Sequence, residues 1–150
     1  MLLNKVYTFK VKQPTFGNLS IEQVNRLYKD GRMSKFLELE MTQLFPLLDY
    51  VDKNGHDYEM KSEVQDFSPK IEMKCFTQRG LKFMPSSMIG VGRKIDIEKF
   101  HEKANDLTYL FCDIVEFPEI KVIFKRGDEL IDKFPRGSIT YKHRNDVFSD

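Results

Sequence analysis

The residues best suited to catalysis form one pattern: Asp57, fourteen residues, and then Glu72-Met73-Lys74. Side chains alternate between the faces of a strand, so Glu72 and Lys74 share one face, about 6.6 to 7 Å apart. Asp57 opens a neighbouring alternating segment, and a hairpin would bring its carboxylate beside Glu72. Clustered carboxylates repel each other unless a cation lies between them, and hard oxygen ligands suit Mg²⁺. A lysine beside such a cation orients or helps deprotonate water and stabilises charge on a phosphate.

The elements that must position these residues are predicted from periodicity and turn signals. An alternating segment at 5–12 indicates a strand or an arm. Three helices are predicted, at 20–31, from about Met33 to Leu48, and at 96–106. The first begins with a capping box, and Pro46 is expected to kink the second or to end it early. The predicted strands are 56–64, 70–77, 107–117 and 120–125, with short strand-like pieces near 81–84 and 138–141 in otherwise loop-like segments. We therefore expect one α/β (α+β) domain over residues 1–150, with a central mixed β-sheet flanked by helices.

A third carboxylate is predicted on the second helix. At about 100° per residue, Glu40 falls inside the apolar stripe of this helix, between Phe36 and Leu44, and Glu38 lies at the border of the stripe. A carboxylate on an apolar face costs free energy unless something pairs with it. Glu40 is therefore the first choice for a third acidic site residue and Glu38 the second, with an ordinary half-exposed glutamate as the alternative.

This arrangement resembles the core of the PD-(D/E)XK nucleases. The resemblance rests on a helix with an acidic residue, Asp57 at the start of a strand, the strand with Glu72 and Lys74, and then a helix and a further strand. It covers about residues 33–125. One departure is that His56, and not proline, precedes Asp57.

The resemblance implies a restriction-endonuclease-like core, with an N-terminal arm and helix at 1–32 and a C-terminal extension at 126–150. It implies a Mg²⁺-dependent endonuclease that hydrolyses DNA phosphodiester bonds, with Asp57 and Glu72 as metal ligands, Mn²⁺ as a substitute and Lys74 at the attacking water. The small size suggests a site-specific enzyme of restriction or homing type that acts on double-stranded DNA. One active site per chain and two strands to cut favour a homodimer.

The tripeptide is a weak signal by itself, because the segments 59–61 and 119–121 also fit it. Only Glu72 has an upstream aspartate at hairpin distance and a helix followed by a buried strand downstream. Asp66 is a rival to Asp57, but we expect it in the connecting loop. The alternative interpretation of all these residues is a solvated, salt-bridged strand face.

Basic residues accompany the predicted carboxylates. Residues 70–95 contain six basic side chains and one acid, whereas 20–66 contain ten acids and six bases. Because the whole chain has a net charge of only +1, an anionic partner must be met by a local patch of this kind. The residues predicted to contact nucleic acid are Gln78, Arg79, Lys82, Ser86, Ser87, Arg93 and Lys94. The alternatives are a solvated surface loop or, for the whole chain, a non-catalytic nucleic-acid-binding or interaction module.

Composition limits the class of protein. With 41% hydrophobic, 31% charged and 13% aromatic residues, the 150-residue chain is typical of a globular domain. No apolar run approaches the roughly 18 residues of a membrane span, and the first residues lack the features of a signal peptide. Cys75 and Cys112 form neither a disulfide framework nor a zinc motif. We therefore expect a cytoplasmic protein in a reducing compartment, with no membrane partner.

Overall fold

The computed structural model describes residues 1–150 and contains a six-stranded mixed sheet, a two-stranded sheet and five helices. The helices are α1 (Ile21–Lys29), α2 (Ser34–Leu44), α3 (Ile97–Asn105), α4 (Gly127–Lys133) and α5 (Arg144–Val147). The strands are β1 (Tyr7–Lys10), β2 (Leu48–Lys53), β3 (His56–Met60), β4 (Lys70–Phe76), β5 (Leu81–Lys82), β6 (Thr108–Asp113), β7 (Glu119–Arg126) and β8 (Ser138–Ile139). The predicted α+β class with a central mixed sheet is confirmed.

The large sheet has the strand order β1-β7-β6-β4-β3-β2, and the small sheet pairs β5 with β8. Strands β2, β3 and β4 form an antiparallel meander, in which a turn at Asn54 and Gly55 joins the first two strands. Gly55 has a φ of +96°, a conformation that glycine adopts without strain. Helix α3 lies between β4 and β6 in the chain, and it lets β6 pair with β4 in the parallel direction. The centre of the sheet thus places β3 directly beside β4, as the predicted hairpin requires.

The second helix is shorter than predicted. It ends at Leu44 rather than near Leu48, because Pro46 has no N–H to donate and forces Phe45, with ψ of 87°, out of the helical conformation. The next residues form the edge strand β2, which the sequence did not predict. None of the five helices is long and apolar enough to cross a membrane.

The sheet has a hydrophobic core on each face, because successive residues of a strand point to opposite sides. The first core contains residues of α1 and α2 packed against Tyr58 and Ile71, and the second contains residues of α3 and α4 packed against Phe76 and Phe111. Each core has sixteen buried residues, so both faces of the sheet are covered, as is usual where a helix connects parallel strands.

The C-terminal segment belongs to the second core. Leu130 of α4, Ile139 of β8 and Phe148 are all buried in it. Helix α4 was not predicted, since it has only seven residues and begins with Gly127. A Cβ at Gly127 would lie 1.8 Å from the carbonyl oxygen of Ala104, so glycine is required for this close approach to α3.

Candidate active site

Asp57 lies at the point where β3 and β4 separate. The ladder between these strands pairs Tyr58 with Ile71, a register that places Asp57 opposite Glu72. The backbone N–H of Met73 donates to Asp57 Oδ2 at 2.9 Å, so the carboxylate takes the place of a backbone acceptor. The Asp57 side chain is thereby fixed in the gap between the two strands, with only 7% of the residue exposed.

Glu72 and Lys74 lie on β4, side by side on one face and both half-buried. The Glu72 carboxylate lies beside that of Asp57, and two carboxylates this close repel each other unless a proton or a cation is shared. Burial and then the neighbouring Glu72 raise the pKa of Asp57 to about 7, although the Met73 amide and the Lys74 ammonium act in the opposite direction. No salt bridge of the structure includes Glu72 or Lys74. The predicted trio of Asp57, Glu72 and Lys74 therefore lies together.

Glu38 is the acid of α2 that reaches this cluster. Only 8% of the residue is exposed, and one of its carboxylate oxygens lies within 4.8 Å of Asp57. The Tyr50 hydroxyl donates to Glu38 Oε2 at 3.0 Å, and Lys35 Nζ lies 3.4 Å from the same oxygen. Burial, followed by the negative charge of Asp57, raises the pKa of Glu38 despite these two partners. The Tyr58 hydroxyl donates to the backbone carbonyl of Glu38 and so ties α2 to β3.

Glu40, the first choice from the sequence, lies elsewhere on α2. It is half-buried on a different side of the helix, near Tyr28. Burial is the larger cause of the raised pKa of Tyr28, and the negative charge of Glu40 is the second cause. Residues two apart on a helix are separated by about 200°, so Glu38 and Glu40 do not share a face. The structure thus reverses the predicted order and places the second choice beside Asp57.

The apolar stripe predicted for α2 is buried except at one edge. Leu37 and Met41, which belong to that stripe, are buried, whereas Phe36 is 51% exposed. The buried side of the helix therefore extends toward Glu38 instead of Phe36.

Asp52 is a member of the cluster that the sequence did not predict. Oxygens of Glu38, Asp52 and Asp57 all lie within 4.8 Å of one another. Asp52 has a φ of +46° at an irregularity in the pairing of β2 with β3, and Lys35 Nζ donates to it at 2.8 Å. The turn at Asn54 and Gly55 could have predicted this position of Asp52. In a hairpin around that turn Lys53 pairs with His56, and the next residues outward are Asp52 and Asp57. Asp66, the rival acid, is exposed in the segment between β3 and β4 and is not a member.

Gln78 and Arg79 lie at the turn that follows β4, apart from the carboxylates. Thr77 begins this turn five residues after Glu72, a distance of about 16 Å along an extended strand. Arg79 Nη2 donates to the carbonyl oxygen of Asp30 at 3.0 Å. Together with residues of α1, these two side chains line a groove of about 730 Å³.

The remaining predicted contact residues lie at the end of β5 and on the segment between β5 and α3. Lys82 of β5 and Arg93 line a second groove, and Ser86, Ser87 and Lys94 are exposed on the segment. Arg93 Nη1 donates to the carbonyl oxygen of Ser86 at 2.6 Å and holds the segment together. Four of the seven predicted residues therefore line two separate grooves, and the seven do not form one patch.

The donor set of the cluster fits a hard divalent cation. Glu38, Asp52 and Asp57 provide carboxylate oxygens within 4.8 Å of one another. Glu72 adds its carboxylate on the other side of Asp57, with Lys74 on the same strand. Carboxylates held this close are favourable only when a proton or a cation is shared among them. Such an arrangement binds Mg²⁺ or Mn²⁺ through oxygen and leaves an ammonium free for an anionic ligand.

Comparisons with protein-family models, with curated proteins and with solved structures found no match to this chain. The functional proposal therefore rests on the residues and the geometry described above.

Proposed function

We propose that the chain is a Mg²⁺-dependent endonuclease that hydrolyses phosphodiester bonds of DNA. The observation that carries this proposal is the surroundings of Asp57 where β3 and β4 separate. Its carboxylate lies beside that of Glu72 and within 4.8 Å of carboxylate oxygens of Glu38 and Asp52, and Lys74 shares a strand face with Glu72. A scaffold gains no stability from burying acids together, so such a cluster is a candidate for function.

The order of the elements around the cluster supports the proposed membership of the PD-(D/E)XK nucleases. Helix α2 with Glu38 precedes β3 with Asp57, and β4 with Glu72 and Lys74 follows. Helix α3 and then β6 come next, with β6 parallel to β4. Apart from β2 before β3 and the short β5 after β4, this is the succession of helix, strand, strand, helix and strand that the sequence resemblance implies.

The proposed metal ligands are Asp57 and Glu72, with Glu38 as a third carboxylate in place of Glu40. A divalent cation bound there would activate water and neutralise charge on the scissile phosphate. Asp57 is held by the Met73 amide, and Glu38 by the hydroxyl of Tyr50. These hydrogen bonds fix the directions of the carboxylates before any ligand binds.

Lys74 is the proposed catalytic cation. It shares a strand face with Glu72 and makes no salt bridge, so its ammonium is free to hydrogen-bond the attacking water or a phosphate oxygen. A positive charge fixed beside the reacting phosphate is worth more in the transition state, where negative charge increases, than in the ground state.

The proposed substrate is double-stranded DNA, cut site-specifically by a homodimer in the cytoplasm. Two antiparallel strands are related by twofold symmetry, so two copies of one site would cut both. The exposed cations Lys82, Arg93 and Lys94 supply local positive charge that a chain of net charge +1 lacks as a whole.

A second candidate is a non-catalytic nucleic-acid-binding module. The observation that favours it is the division of the basic residues between two grooves, with Gln78 and Arg79 about 16 Å from Glu72 along β4. In such a module the grooves would bind nucleic acid, and the carboxylates would play no part.

Nicking of supercoiled plasmid distinguishes the two candidates. We expect the wild-type chain to nick DNA with Mg²⁺ or Mn²⁺ and not with EDTA, and Asp57→Asn to lose about three orders of magnitude in rate while binding DNA as well or better. The matched control is Asp66→Asn, because Asp66 is exposed and its φ of +67° suits asparagine. DNA binding without nicking in either metal, or full activity of Asp57→Asn, would reject the endonuclease.

A further inference from the structure

A groove of about 580 Å³ lies between the segment that follows β5 and the end of α4 that leads into β8. Its volume is within the roughly 300 to 1,000 Å³ of small-molecule sites. Apart from Ser138, the side chains that line it are apolar or basic, and none is acidic. The apolar ones are Met84, Met88, Ile89, Ile95 and Ile97, and the basic ones are Lys82, Arg93 and Arg136.

The basic residues of the groove are free to meet an anion. Lys82, Arg93 and Arg136 are exposed, and none of them forms a salt bridge in the structure. Arg93 is held in place through Ser86, yet a guanidinium has five donors and keeps most of them for a ligand. The nearest acid in the chain, Asp96, accepts from the backbone of Lys99 as the cap of α3.

The apolar lining requires a ligand with an apolar part. Ile95 is 61% exposed and Ile97 is 39% exposed, so the groove exposes apolar side chains to water beside its basic side chains. An intact duplex has its bases stacked inside and presents sugar and phosphate to such a surface. A nucleotide whose base is unpaired offers both a phosphate and an apolar ring, and methionine makes favourable contacts with aromatic rings.

Buried aromatic side chains connect the lining of the groove to β4. Lys82 and Met84, which line it, adjoin Phe83 in the chain, and the ring of Phe83 lies 5.3 Å from that of Tyr109 between centroids. Tyr109 is the neighbour of Glu72 in the parallel pairing of β4 with β6. The groove therefore borders the same core, the second one, that Tyr109 occupies beside Glu72.

We infer that this groove binds one unpaired nucleotide of the nucleic acid whose backbone occupies the carboxylate site. The phosphate contacts Lys82, Arg93 and Arg136, and the base lies on the methionine and isoleucine side chains. This inference rests on the proposed function, because the neighbouring carboxylates select a nucleic acid among anionic ligands. It narrows the proposed substrate from any duplex to one with an unpaired or extruded base.

The test measures binding in EDTA, where no cleavage occurs, to a short duplex with one unpaired 2-aminopurine and to the same duplex fully paired. We expect wild-type chain to bind the first about tenfold more tightly, since burial of about 55 Å² of apolar surface against the methionine and isoleucine side chains accounts for a difference of that size. Fluorescence of 2-aminopurine should rise on binding, because the base leaves the stack and no aromatic side chain lines the groove.

Two isoleucines of equal exposure provide the matched pair of variants. Ile95→Asp should remove the tenfold preference, whereas Ile21→Asp should keep it, because Ile21 is 58% exposed on α1 across the sheet. The double change Lys82→Ala with Arg136→Ala should weaken binding to both duplexes.

Equal affinity of wild-type chain for the two duplexes, or an unchanged preference in Ile95→Asp, would overturn the inference. Binding to phosphatidylserine vesicles through Ile95, with no binding to either duplex, would overturn it in favour of a lipid surface. If the preference is found but plasmid is never nicked, the groove assignment holds and the endonuclease proposal fails.

Discussion

Two aspartates are buried in the large sheet, and their surroundings are opposite. Asp113, at the end of β6, is 2% exposed, and Arg144 Nε lies 2.7 Å from its Oδ2. Its other oxygen accepts from the backbone N–H of Val115 at 3.0 Å. Asp57, on β3, is 7% exposed and has one backbone donor, with the carboxylate of Glu72 where Asp113 has a guanidinium.

The difference separates a structural carboxylate from a candidate catalytic one. A buried carboxylate with a close counter-ion and a backbone donor has partners for both of its oxygens in the folded chain. A buried carboxylate beside a second carboxylate lacks such partners, and it lowers the stability of the fold unless it binds a proton or a cation. Asp113 therefore fastens the C-terminal segment to β6. Asp57 is held beside a second carboxylate, and a bound cation would relieve the repulsion between them.

After Asp57→Asn, removal of the unpaired cation beside Asp57 should have the largest effect on turnover. We expect Lys74→Ala to lower the rate of plasmid nicking by about two to three orders of magnitude, because it removes a charge aimed at the transition state. Lys70→Ala is the control, since Lys70 is an exposed lysine on the same strand. A change in DNA affinity with turnover intact would instead make Lys74 a phosphate contact.

Neutralising the paired aspartate should affect stability instead. Asp113→Asn leaves Arg144 without its counter-ion, and we expect a loss of about 3 kcal/mol in the free energy of unfolding, measured with urea at pH 8. Asp57→Asn should gain stability under the same conditions, because an amide replaces one of two repelling carboxylates. Equal losses in the two variants would mean that both aspartates serve the scaffold.

The pH dependence of stability should also distinguish the two sites. The pKa of Asp57 is raised from 3.8 to about 7 in the folded chain, so its contribution to stability is present below about pH 4 and is lost as the pH rises through 7. Between about pH 5 and pH 8, metal-free protein should lose about 2 kcal/mol more than Asp57→Asn does. Parallel curves for the two proteins would show that Asp57 does not titrate in this range.

The two glutamates of α2 provide the smallest contrast. We expect Glu38→Gln to lower nicking about tenfold, since Glu38 adjoins Asp57 and is oriented by Tyr50. Glu40→Gln should leave nicking within about twofold of wild type, because Glu40 lies on another side of the helix. The opposite result would restore the order predicted from the sequence.

Local patterns predicted the parts of the site that depend on neighbours in the chain. The alternation of β4 was enough to put Glu72 and Lys74 on one face, and the hairpin was enough to bring Asp57 to them. The capping box at Ser20 is also present, with Gln23 as its partner. In each case a few adjacent residues determine the geometry.

Long-range packing decided what the sequence did not predict. Whether Glu38 or Glu40 faces the sheet depends on how α2 packs, and Phe36, counted as buried, is half-exposed. Asp52 reaches the cluster through an irregularity in the pairing of β2, a strand that periodicity did not show. Arg136 joins Lys82 in a groove because β8 pairs with β5, a contact more than fifty residues apart.

The most direct test of the central claim is a titration of the Asp57 carboxyl carbon by NMR, without and with Mg²⁺, with Asp113 in the same spectra as the reference. We predict a midpoint near 7 without metal. We expect Mg²⁺ to lower that midpoint by at least about one unit, because the cation and the proton compete for the carboxylate, and the Asp113 signal to stay unchanged. An ordinary midpoint near 3.8 that Mg²⁺ does not move would contradict the assignment of a metal site to Asp57.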